Sequence, residues 1–423
     1  MKYFHSVTLN KDNCHGCTNC IKHCPTEAIR VRNGKAKIIK ERCIDCGECI
    51  RVCPYHAKLA VTDSLEMLKG FRYNIAMPAP SLYGQFKRNT DVNRILTAIK
   101  RLGFDDVYEV ARGAEMVTAA TRKMMAEKAD LPKPLISSAC PAVVRLIKVR
   151  YPNLIGNIVN LLAPMEVAAY EARRLAREKT GLSDAEIGVF FITPCPAKMT
   201  SIKSSLSMEK SQVSGAIAVK DIYGDLVRIM KNMDEPEPLA TASSLGVLWG
   251  KNGGETDGIE RPDCIAVDGI KNVINILNEI EDEKLTEIEF AELCACPGGC
   301  VGGALNVTNS FVCGSRLENL PTNATTVSAP SDEMLLAMQW QKEIEYEPIM
   351  KLADDLNEAM QKMEQIDRLY ADMPKLDCGS CGAPSCRALA EDVVLGFGKE
   401  NDCIFKMREQ IQQIATKLMD LDR

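Results

Sequence analysis

The stretch that decides the fold is ELCACPGGCVGG, residues 292–303, which holds three cysteines and four glycines within twelve residues. It directly follows a strand-like run that begins at residue 287. Glycines at this density let the backbone approach a bulky group and adopt positive φ angles. Thiolates are soft ligands for iron–sulfur clusters, copper(I) or zinc. The stretch alone therefore predicts either a loop around a metal centre or a glycine-rich turn with incidental cysteines.

The composition of the chain restricts its class. With 423 residues, of which 46% are hydrophobic and 26% charged, the chain has an ordinary globular composition and room for two to four domains. A net charge of −5 offers no basic surface for nucleic acid or an anionic membrane. The polar N-terminus does not resemble a signal peptide, and no apolar run approaches the ~20 residues of a membrane span. We therefore expect a cytoplasmic protein, in which nineteen cysteines favour metal ligation over disulfides.

Two identical cysteine runs lie near the N-terminus. Each reads C-x-x-C-x-x-C-x-x-x-C-P, and the second begins 29 residues after the first. This spacing is that of bacterial two-cluster ferredoxins, in which the fourth cysteine of each run ligates the other cluster. We assign one [4Fe–4S] cluster to Cys14, Cys17, Cys20 and Cys53, and a second to Cys43, Cys46, Cys49 and Cys24. Zinc is the alternative, although two such runs do not have the spacing of zinc ribbons.

From residue 71 onward, strand-like runs alternate with amphipathic helical patterns. The runs predict strands at 73–77, 107–110, 135–137, 188–193, 264–267 and 288–293, and helices at 92–102, 115–126, 143–149, 166–179 and 221–231. This alternation predicts the α/β class, with parallel sheets that carry helices on their faces. In such sheets, ligands bind beyond the carboxyl ends of the strands.

Three of the predicted strands, those ending at residues 137, 193 and 293, lead directly into loops that contain a Cys-Pro pair. The cysteines of these loops are Cys140, Cys195, Cys296 and Cys300. Because parallel strands end at the same edge of a sheet, the four thiols are predicted to converge on one point. A small core residue is the alternative for any one of them.

These three loops resemble, in order and spacing, the three signature segments of [FeFe]-hydrogenases. The resemblance implies a two-lobed domain of parallel sheets flanked by helices around a buried metal cluster. It implies that the four cysteines hold an H-cluster, a [4Fe–4S] cubane joined through Cys300 to a two-iron subsite with CO, CN⁻ and a bridging dithiolate. Lys198, three residues after Cys195, matches the lysine that hydrogen-bonds a cyanide in the family. Hydrogenase maturation proteins are then expected as partners.

The chain departs from this family along its standard proton path. Ala139 occupies the place of a proton-donating cysteine. The next positions of the family's proton path are occupied here by Val159, Thr121 and Met124. A proton carrier must titrate and lie within hydrogen-bond reach of its neighbour, and none of these side chains meets the first condition. We therefore expect slow turnover or another proton route. The candidate carriers are Glu292, Glu255 and Cys294, and an ordinary polar role is the alternative for each.

The C-terminal part of the chain contains a fourth cysteine set. A helical tract at 332–369 is interrupted by Pro348, which predicts two helices or a kink, with Met360 and Met363 packed inside. The pattern C-x-x-C-x4-C-x16-C then predicts a third [4Fe–4S] site, with zinc as the alternative. Its cysteines are Cys378, Cys381, Cys386 and Cys403. This segment resembles the small iron–sulfur domain of sensory [FeFe]-hydrogenases.

These observations predict four segments. They are a ferredoxin-like (α+β) module at 1–66, an H-cluster domain at 67–330, a helical linker at 331–372 and a small helical iron–sulfur domain at 373–423. The last helix, 404–421, could contact a partner or a second subunit in a homodimer, or simply pack. Cys264 and Cys313 are interpreted as buried apolar residues.

The function expected from the resemblance is slow, reversible interconversion of H₂ with protons and electrons. The chain would act as a hydrogen or redox sensor that serves a separate electron-carrier or signalling partner. Two alternatives stay open. One is an ordinary bidirectional ferredoxin-linked hydrogenase with a non-standard proton path, and the other is a non-enzymatic iron–sulfur assembly relative that lacks the two-iron subsite.

Overall fold

The structure is a computed structural model that describes residues 3–127, 130–321 and 330–421. The described residues form two compact units, the first within Met1–Val7, Ile44–Gly47 and Ala60–Tyr346 and the second within Thr8–Cys43, Glu48–Leu59 and Glu347–Arg423. Among the described helices, none is both long enough and apolar enough to cross a bilayer.

The regular elements follow one another along the chain as short strands and helices of mostly ordinary length. The strands are β1 (Val7–Leu9), β2 (Ile29–Arg32), β3 (Lys35–Ile38), β4 (Lys58–Ala60), β5 (Tyr73–Pro78), β6 (Asp106–Val107), β7 (Leu135–Ile136), β8 (Ile187–Thr193), β9 (Gly215–Ala218), β10 (Cys264–Asp268) and β11 (Phe290–Cys294). The helices are α1 (Asn19–Lys22), α2 (Glu48–Arg51), α3 (Val92–Lys100), α4 (Val110–Glu127), α5 (Pro141–Arg150), α6 (Pro164–Thr180), α7 (Pro196–Lys203), α8 (Val219–Lys231), α9 (Ser244–Leu248), α10 (Gly254–Ile259), α11 (Ile270–Glu281), α12 (Ser310–Glu318), α13 (Asp332–Ala337), α14 (Leu356–Ala371), α15 (Cys386–Val394) and α16 (Ile404–Leu421).

The first unit contains a four-stranded sheet in the order β6-β5-β8-β9, with every neighbouring pair parallel. Strand β8 is buried along its whole length, which explains its continuous apolar sequence IGVFFIT. Its side chains alternate between two cores. Phe190 packs with Ile95 of α3 and Leu226 of α8 on one face. Phe191 packs with Met165 of α6 on the other face.

A second parallel sheet in the same unit has the order β10-β11-β7. Phe290 of β11 and Leu135 of β7 pack in one core with Val117 of α4 and Val167 of α6. The two strands run in the same direction, so the loops that follow them leave the sheet at the same edge. The loops after β7 and β11 are two of the three cysteine-bearing loops.

In the second unit, β2 and β3 form an antiparallel hairpin around an Asn33-Gly34 turn. Both turn residues have positive φ, 52° and 70°, as a two-residue hairpin turn of this type requires. A small apolar core in the C-terminal part of the unit joins α14 to α15 through Ile366 and Leu389.

The α/β class with parallel sheets flanked by helices is confirmed, and several local predictions are corrected. Val110 begins α4 rather than ending a strand, and β9 was not predicted because its sequence, Gly-Ala-Ile-Ala, carries little strand signal. The tract 332–369 forms two separate helices. Met360 and Met363 are 63% and 43% exposed, so the prediction that they pack was wrong. The four predicted segment boundaries stay a prediction.

Candidate metal centre

Each of the three Cys-Pro loops begins at the end of a strand. Cys140 follows β7 and immediately precedes α5, and Cys195 follows β8 and immediately precedes α7. The proline after each cysteine occupies the first helical position, where its fixed φ suits the helix and its missing N–H is not needed. A Cys-Pro pair at this place therefore holds the thiol in the last residue before a helix starts.

The four predicted H-cluster ligands border one cavity of the first unit. Cys140, Cys195, Cys296 and Cys300 all line it, and the space not filled by protein atoms is about 880 Å³, including the part open to solvent. Much of the remaining wall is apolar, for example Pro194, Met165 and Phe191. Four thiols around an apolar cavity fit the donor set of an iron–sulfur cluster.

The glycines of the third loop serve the packing of the chain itself. Gly299 has φ +88°, and a Cβ there would collide with the backbone of Asn252. A Cβ on Gly302 would collide with the carbonyl oxygen of Pro297. The loop is tied to the same neighbouring segment because the Asn252 N–H donates to the Gly298 carbonyl oxygen at 2.9 Å. The glycines thus let the loop fold tightly on itself and on residues 251–252.

Burial governs the protonation of these thiols. It raises the pKa of Cys195 to about 12, and the charge of Cys296 adds to the effect. Burial likewise raises the pKa of Cys300, and it raises that of Cys294 well above the usual range. Without a cation, such thiols keep their protons at neutral pH. Metal binding at this cavity would therefore have to release protons from the ligands.

Glu292 lies on β11 at the edge of the cavity and is almost fully buried. Its Oε1 accepts the N–H of Gly253 at 3.0 Å, and its Oε2 accepts the N–H groups of Glu255 at 3.1 Å and Thr256 at 3.0 Å. These donors belong to the first turn of α10, where N–H groups lack partners within the helix. Burial raises the pKa of Glu292 while the backbone donors oppose the rise.

Glu255 lies beside Glu292 in the same cavity wall and is also buried. The pKa of Glu255 is raised to about 8. Burial is the largest cause of this rise, and the charge of Glu292 is the second. The hydroxyl of Ser137 donates to the Glu255 Oε2 at 2.6 Å. Because the Glu292 carboxylate accepts five hydrogen bonds and the Glu255 carboxyl accepts one, Glu255 is the one that holds a proton at neutral pH.

The third sequence candidate completes the group. The Cys294 thiol donates to the Glu292 Oε1 at an S···O distance of 3.8 Å. At the other end, the Ser137 Oγ accepts the N–H of Ala139 at 3.2 Å. Ser137 was missed by the sequence reasoning, and only its position at the end of β7 could have drawn attention to it. The structure thus brings Glu292, Glu255 and Cys294 together.

Lys198 also lines the cavity, and its Nζ donates to the carbonyl oxygen of Ala139 at 2.7 Å. The lysine therefore reaches the first Cys-Pro loop from the second. The residues that replace the family's standard proton path are not acids. Thr121 donates its hydroxyl to Val117 within its own helix at 2.9 Å, and Val159 is a buried core residue.

In the second unit, the four cysteines assigned to the first ferredoxin cluster line one cavity. They are Cys14, Cys17, Cys20 and Cys53. Backbone N–H groups point at two of the sulfurs, from Ala36 to Cys14 at 3.4 Å and from Ala57 to Cys53 at 3.3 Å. Lys58 lines the same cavity, and among the described residues its buried Nζ has no hydrogen-bond partner. A buried cation in the wall of a cavity lined by four thiols fits an anionic cluster.

Lys58 was missed by the sequence reasoning, which had no signal to separate it from other lysines. For the second predicted ferredoxin cluster, three cysteines lie in the second unit and Cys46 lies in the first. This ligand set stays a prediction.

The C-terminal cysteine set shares a small core in the second unit. Cys381, Cys386 and Cys403 pack with Leu389, and the charge of the more exposed Cys378 acts on Cys381. Three of the four thiols therefore share one core and the fourth lies within electrostatic range of Cys381, and their ligation of one metal group stays a prediction.

This C-terminal segment is held against the ferredoxin hairpin within the same unit. The N–H of Val31 on β2 donates to the carbonyl oxygen of Gly382 at 2.8 Å. Arg30 and Arg32 both donate to the buried carboxylate of Asp392 at 2.7 Å. Gly382 has φ +79°, and a Cβ there would collide with the Val31 carbonyl oxygen, so the position requires glycine.

A parallel α/β domain with four strand-end thiols around one cavity, accompanied by two further cysteine-rich segments, defines an iron–sulfur protein. Comparison with known families identifies it further. Residues 72–262 and 255–304 match the C-terminal domain of the iron-only hydrogenase large subunit, which covers more than half of the chain. The chain belongs to this family. Residues 6–54 match a 4Fe-4S dicluster domain, and residues 373–405 match an Fe-S cluster family.

Relatives of known name agree with this assignment. The chain is 24% identical over 257 residues to iron hydrogenase 1 of Clostridium pasteurianum, covering 50% of this chain and 44% of the relative. It is 29% identical over 217 residues to the periplasmic [Fe] hydrogenase large subunit of Nitratidesulfovibrio vulgaris, covering 46% of this chain and 50% of the relative. The chain thus spans about half the length of these curated relatives.

Two further similarities are more distant. The chain is 21% identical over 271 residues to a probable cytosolic Fe-S cluster assembly factor of Caenorhabditis elegans, covering 51% of this chain and 58% of the relative. Among solved structures, a variant of the apo [FeFe]-hydrogenase HydA1 from Chlamydomonas reinhardtii aligns with a TM-score of 0.48 and 14% identity, covering 63% of this chain and 88% of that one.

Proposed function

We propose that this chain interconverts H₂ with protons and electrons, 2 H⁺ + 2 e⁻ ⇌ H₂, slowly, and serves as a hydrogen or redox sensor for a separate partner. Cys140, Cys195, Cys296 and Cys300 would hold the H-cluster, which would supply the place where H₂ is formed or split. The ferredoxin-like cysteines and the C-terminal cysteines would hold [4Fe–4S] clusters that carry single electrons. One observation carries this proposal: two buried glutamates share the wall of the four-thiol cavity.

The residues of the chain supply a proton route of their own. Glu255 holds a proton near neutral pH, and the Ser137 hydroxyl contacts its carboxyl group at 2.6 Å. Glu292 is fixed by backbone donors and accepts from the Cys294 thiol, which borders the cavity. A titratable group with a pKa near the working pH is the most efficient general acid or base. Glu255, Glu292 and Cys294 therefore form the proposed proton route in place of the family's standard path, whose positions hold no acid in this chain.

The sensory part of the proposal is supported by the loss of the family's standard proton carriers from the site. Ala139 removes the titratable thiol next to the first ligand. Val159 has no polar hydrogen, and the Thr121 hydroxyl does not titrate near neutral pH and donates to Val117 within its own helix. A route through two buried carboxyls must move protons against their desolvation cost, which favours slow turnover. Slow turnover with intact ligands suits a protein that reports H₂ more than one that consumes it.

The Glu292→Gln variant tests the proton route. Gln keeps the shape of Glu292 but cannot carry a proton, so H₂ evolution and uptake should fall about 10²-fold or more. The matched control is Glu289→Gln, three residues earlier, because Glu289 forms exposed ion pairs with Lys133 and Arg261. Unchanged rates in Glu292→Gln at every pH, with the control also unchanged, would show that the proton travels another way.

Infrared spectroscopy of the matured protein tests the cofactor itself. Bands in the CO and CN⁻ stretching region are expected after maturation, and they should disappear in a Cys300→Ser variant. A protein that binds iron through its other cysteines but lacks these bands would be an assembly relative rather than a hydrogenase. Rates typical of a metabolic enzyme in the wild-type chain would favour the bidirectional alternative over a sensor.

A further inference from the structure

The last helix of the chain carries a regular apolar stripe. In α16, apolar residues are separated alternately by three and four positions, as in the heptad pattern of a coiled coil. The stripe consists of Ile404, Met407, Ile411, Ile414, Leu418 and, by sequence, Leu421. Such a pattern places all of these residues along one seam of the helix.

This seam faces solvent in the isolated chain. The five stripe side chains that the structure describes are between 44% and 58% exposed. Within residues 404–419, where the structure describes the side chains of α16, none is buried. A run of large apolar side chains at this exposure is unusual for a monomer and marks a contact surface.

The helix is fixed to its own domain only at its beginning. Cys403, the residue before α16, is buried in the small C-terminal core, and Lys406 pairs with Asp372 at the end of α14. Asn401, which precedes α16, also donates to the side-chain oxygen of Gln410, and within residues 411–419 the described helix has only its internal hydrogen bonds. Because most helical stability in proteins comes from packing of an apolar face, a partner that covers the stripe would stabilise the helix.

We propose that the stripe of α16 pairs with the same stripe of a second copy of this chain, forming a parallel two-stranded coiled coil. A heptad stripe is complementary to itself, because each apolar side chain fits between four residues of an identical helix. Ile404 and Ile411 occupy the first two a positions, where β-branched residues favour two strands in combination with Leu at d, whereas Ile414 at a d position does not add to this preference.

The charges on α16 agree with a second copy. In a parallel pair, the residues that flank the seam and face one another across it include Gln410 and Ala415, which are neutral and do not repel. Cations and anions are almost balanced over the helix, since Lys406, Arg408 and Lys417 are opposed by Glu409 and Asp420. A helix that lies on an anionic membrane would carry an excess of Lys and Arg on its polar face.

The proposal does not depend on hydrogenase activity. It does give the C-terminal cysteine set a structural consequence, because α16 begins directly after Cys403. The metal-binding segment therefore sets where the two helices of the pair start.

Analytical ultracentrifugation or light scattering of the full, iron-loaded chain tests the proposal. We expect a mass of twice 46.6 kDa in a micromolar dilution series. The double variant Ile411→Glu with Ile414→Glu places charges in the seam and should give the single-chain mass. The control Gln412→Glu with Thr416→Glu adds the same charge on the opposite side of the helix and should leave the dimer intact.

Several results would overturn the proposal. A wild-type chain that is monomeric throughout the series, or that forms trimers or tetramers, would do so, as would a seam variant that stays dimeric. Binding of the wild-type chain, but not the seam variant, to vesicles of anionic phospholipid would assign the stripe to a membrane instead. If the double variant loses iron or helicity, the milder pair Ile411→Ala with Leu418→Ala is measured, with at least partial dissociation expected.

Discussion

Glu255 and Glu292 show how much of the candidate site depends on residues that are distant in sequence. The two carboxyls are separated by 37 positions, and they meet because the first turn of α10 donates its N–H groups to Glu292 in the middle of β11. Both residues were predicted from the sequence as candidate proton carriers. The sequence could not show that they form a pair, because nothing in their spacing predicts which helix start lies beside which strand.

The raised pKa of Glu255 gives a prediction on stability. Its folded pKa of about 8 lies above the ordinary value of 4.5, so the folded chain keeps a proton that the unfolded chain releases between these pH values. The free energy of unfolding should therefore fall as pH rises from about 4.5 to about 8, and the contribution should be fully present below that window. Glu255→Gln should remove this part of the pH dependence.

Thermal unfolding midpoints between pH 5 and pH 9 measure the effect. The wild-type midpoint should fall more steeply than that of Glu255→Gln as pH rises. Glu260→Gln, at the exposed end of the same helix, is the matched control and should follow the wild type. Parallel curves for the wild type and Glu255→Gln would mean that Glu255 is ionised in the folded chain at neutral pH.

At the scale of elements, the sequence predicted the long apolar strands better than the short ones with small side chains. Strands β5, β8 and β11 appear close to their predicted positions because long apolar runs mark buried parallel strands, and β10 does so although it is only partly buried. Strand β9 was missed because short Gly and Ala side chains give little apolar signal, although all four of its residues are buried. The helix after Cys140, predicted at 143–149, begins two residues earlier at Pro141, and the helix after Cys195 was not predicted.

The packing of the C-terminal segment on β2 gives a prediction at this scale. Asp392 is a buried carboxylate between Arg30 and Arg32, and its removal would leave buried guanidinium groups without a counter-charge. Asp392→Asn should therefore lower the stability of this contact by about 3–5 kcal/mol. Hydrogen exchange of β2 should report the change, because the Val31 amide is bonded to Gly382.

The control for this prediction is Asp367→Asn. Asp367 pairs with Arg387 between α14 and α15, and both side chains are half exposed. Exposed pairs contribute about 0–1 kcal/mol, so exchange of β2 should stay as in the wild type. Equal protection of Val31 in Asp392→Asn would show that the backbone hydrogen bond and the glycine contact hold the segment without the ion pairs.

At the scale of the whole molecule, the division of the chain departs from its linear order. The second compact unit combines residues near the N-terminus with residues after 346, and the Arg30–Asp392 contact spans 362 positions. Cysteine spacing predicted the contents of these segments but not their association. Spacing reports which thiols share a cluster, whereas association depends on side chains such as Arg30 and Asp392, which look like ordinary surface residues in sequence.

Sixteen of the nineteen cysteines belong to the four predicted ligand sets, which gives a prediction for metal content. Cys20→Ser, in the ferredoxin cavity, and Cys381→Ser, in the C-terminal core, should each lower the iron content by about four atoms per chain, because each removes a thiolate from a [4Fe–4S] site. Cys264→Ser should leave it unchanged, since Cys264 lies on β10 outside these sets. Iron and zinc are measured together on anaerobically purified protein. Zinc in place of iron, or equal iron in all three variants, would contradict the assignment of these cysteines to [4Fe–4S] clusters.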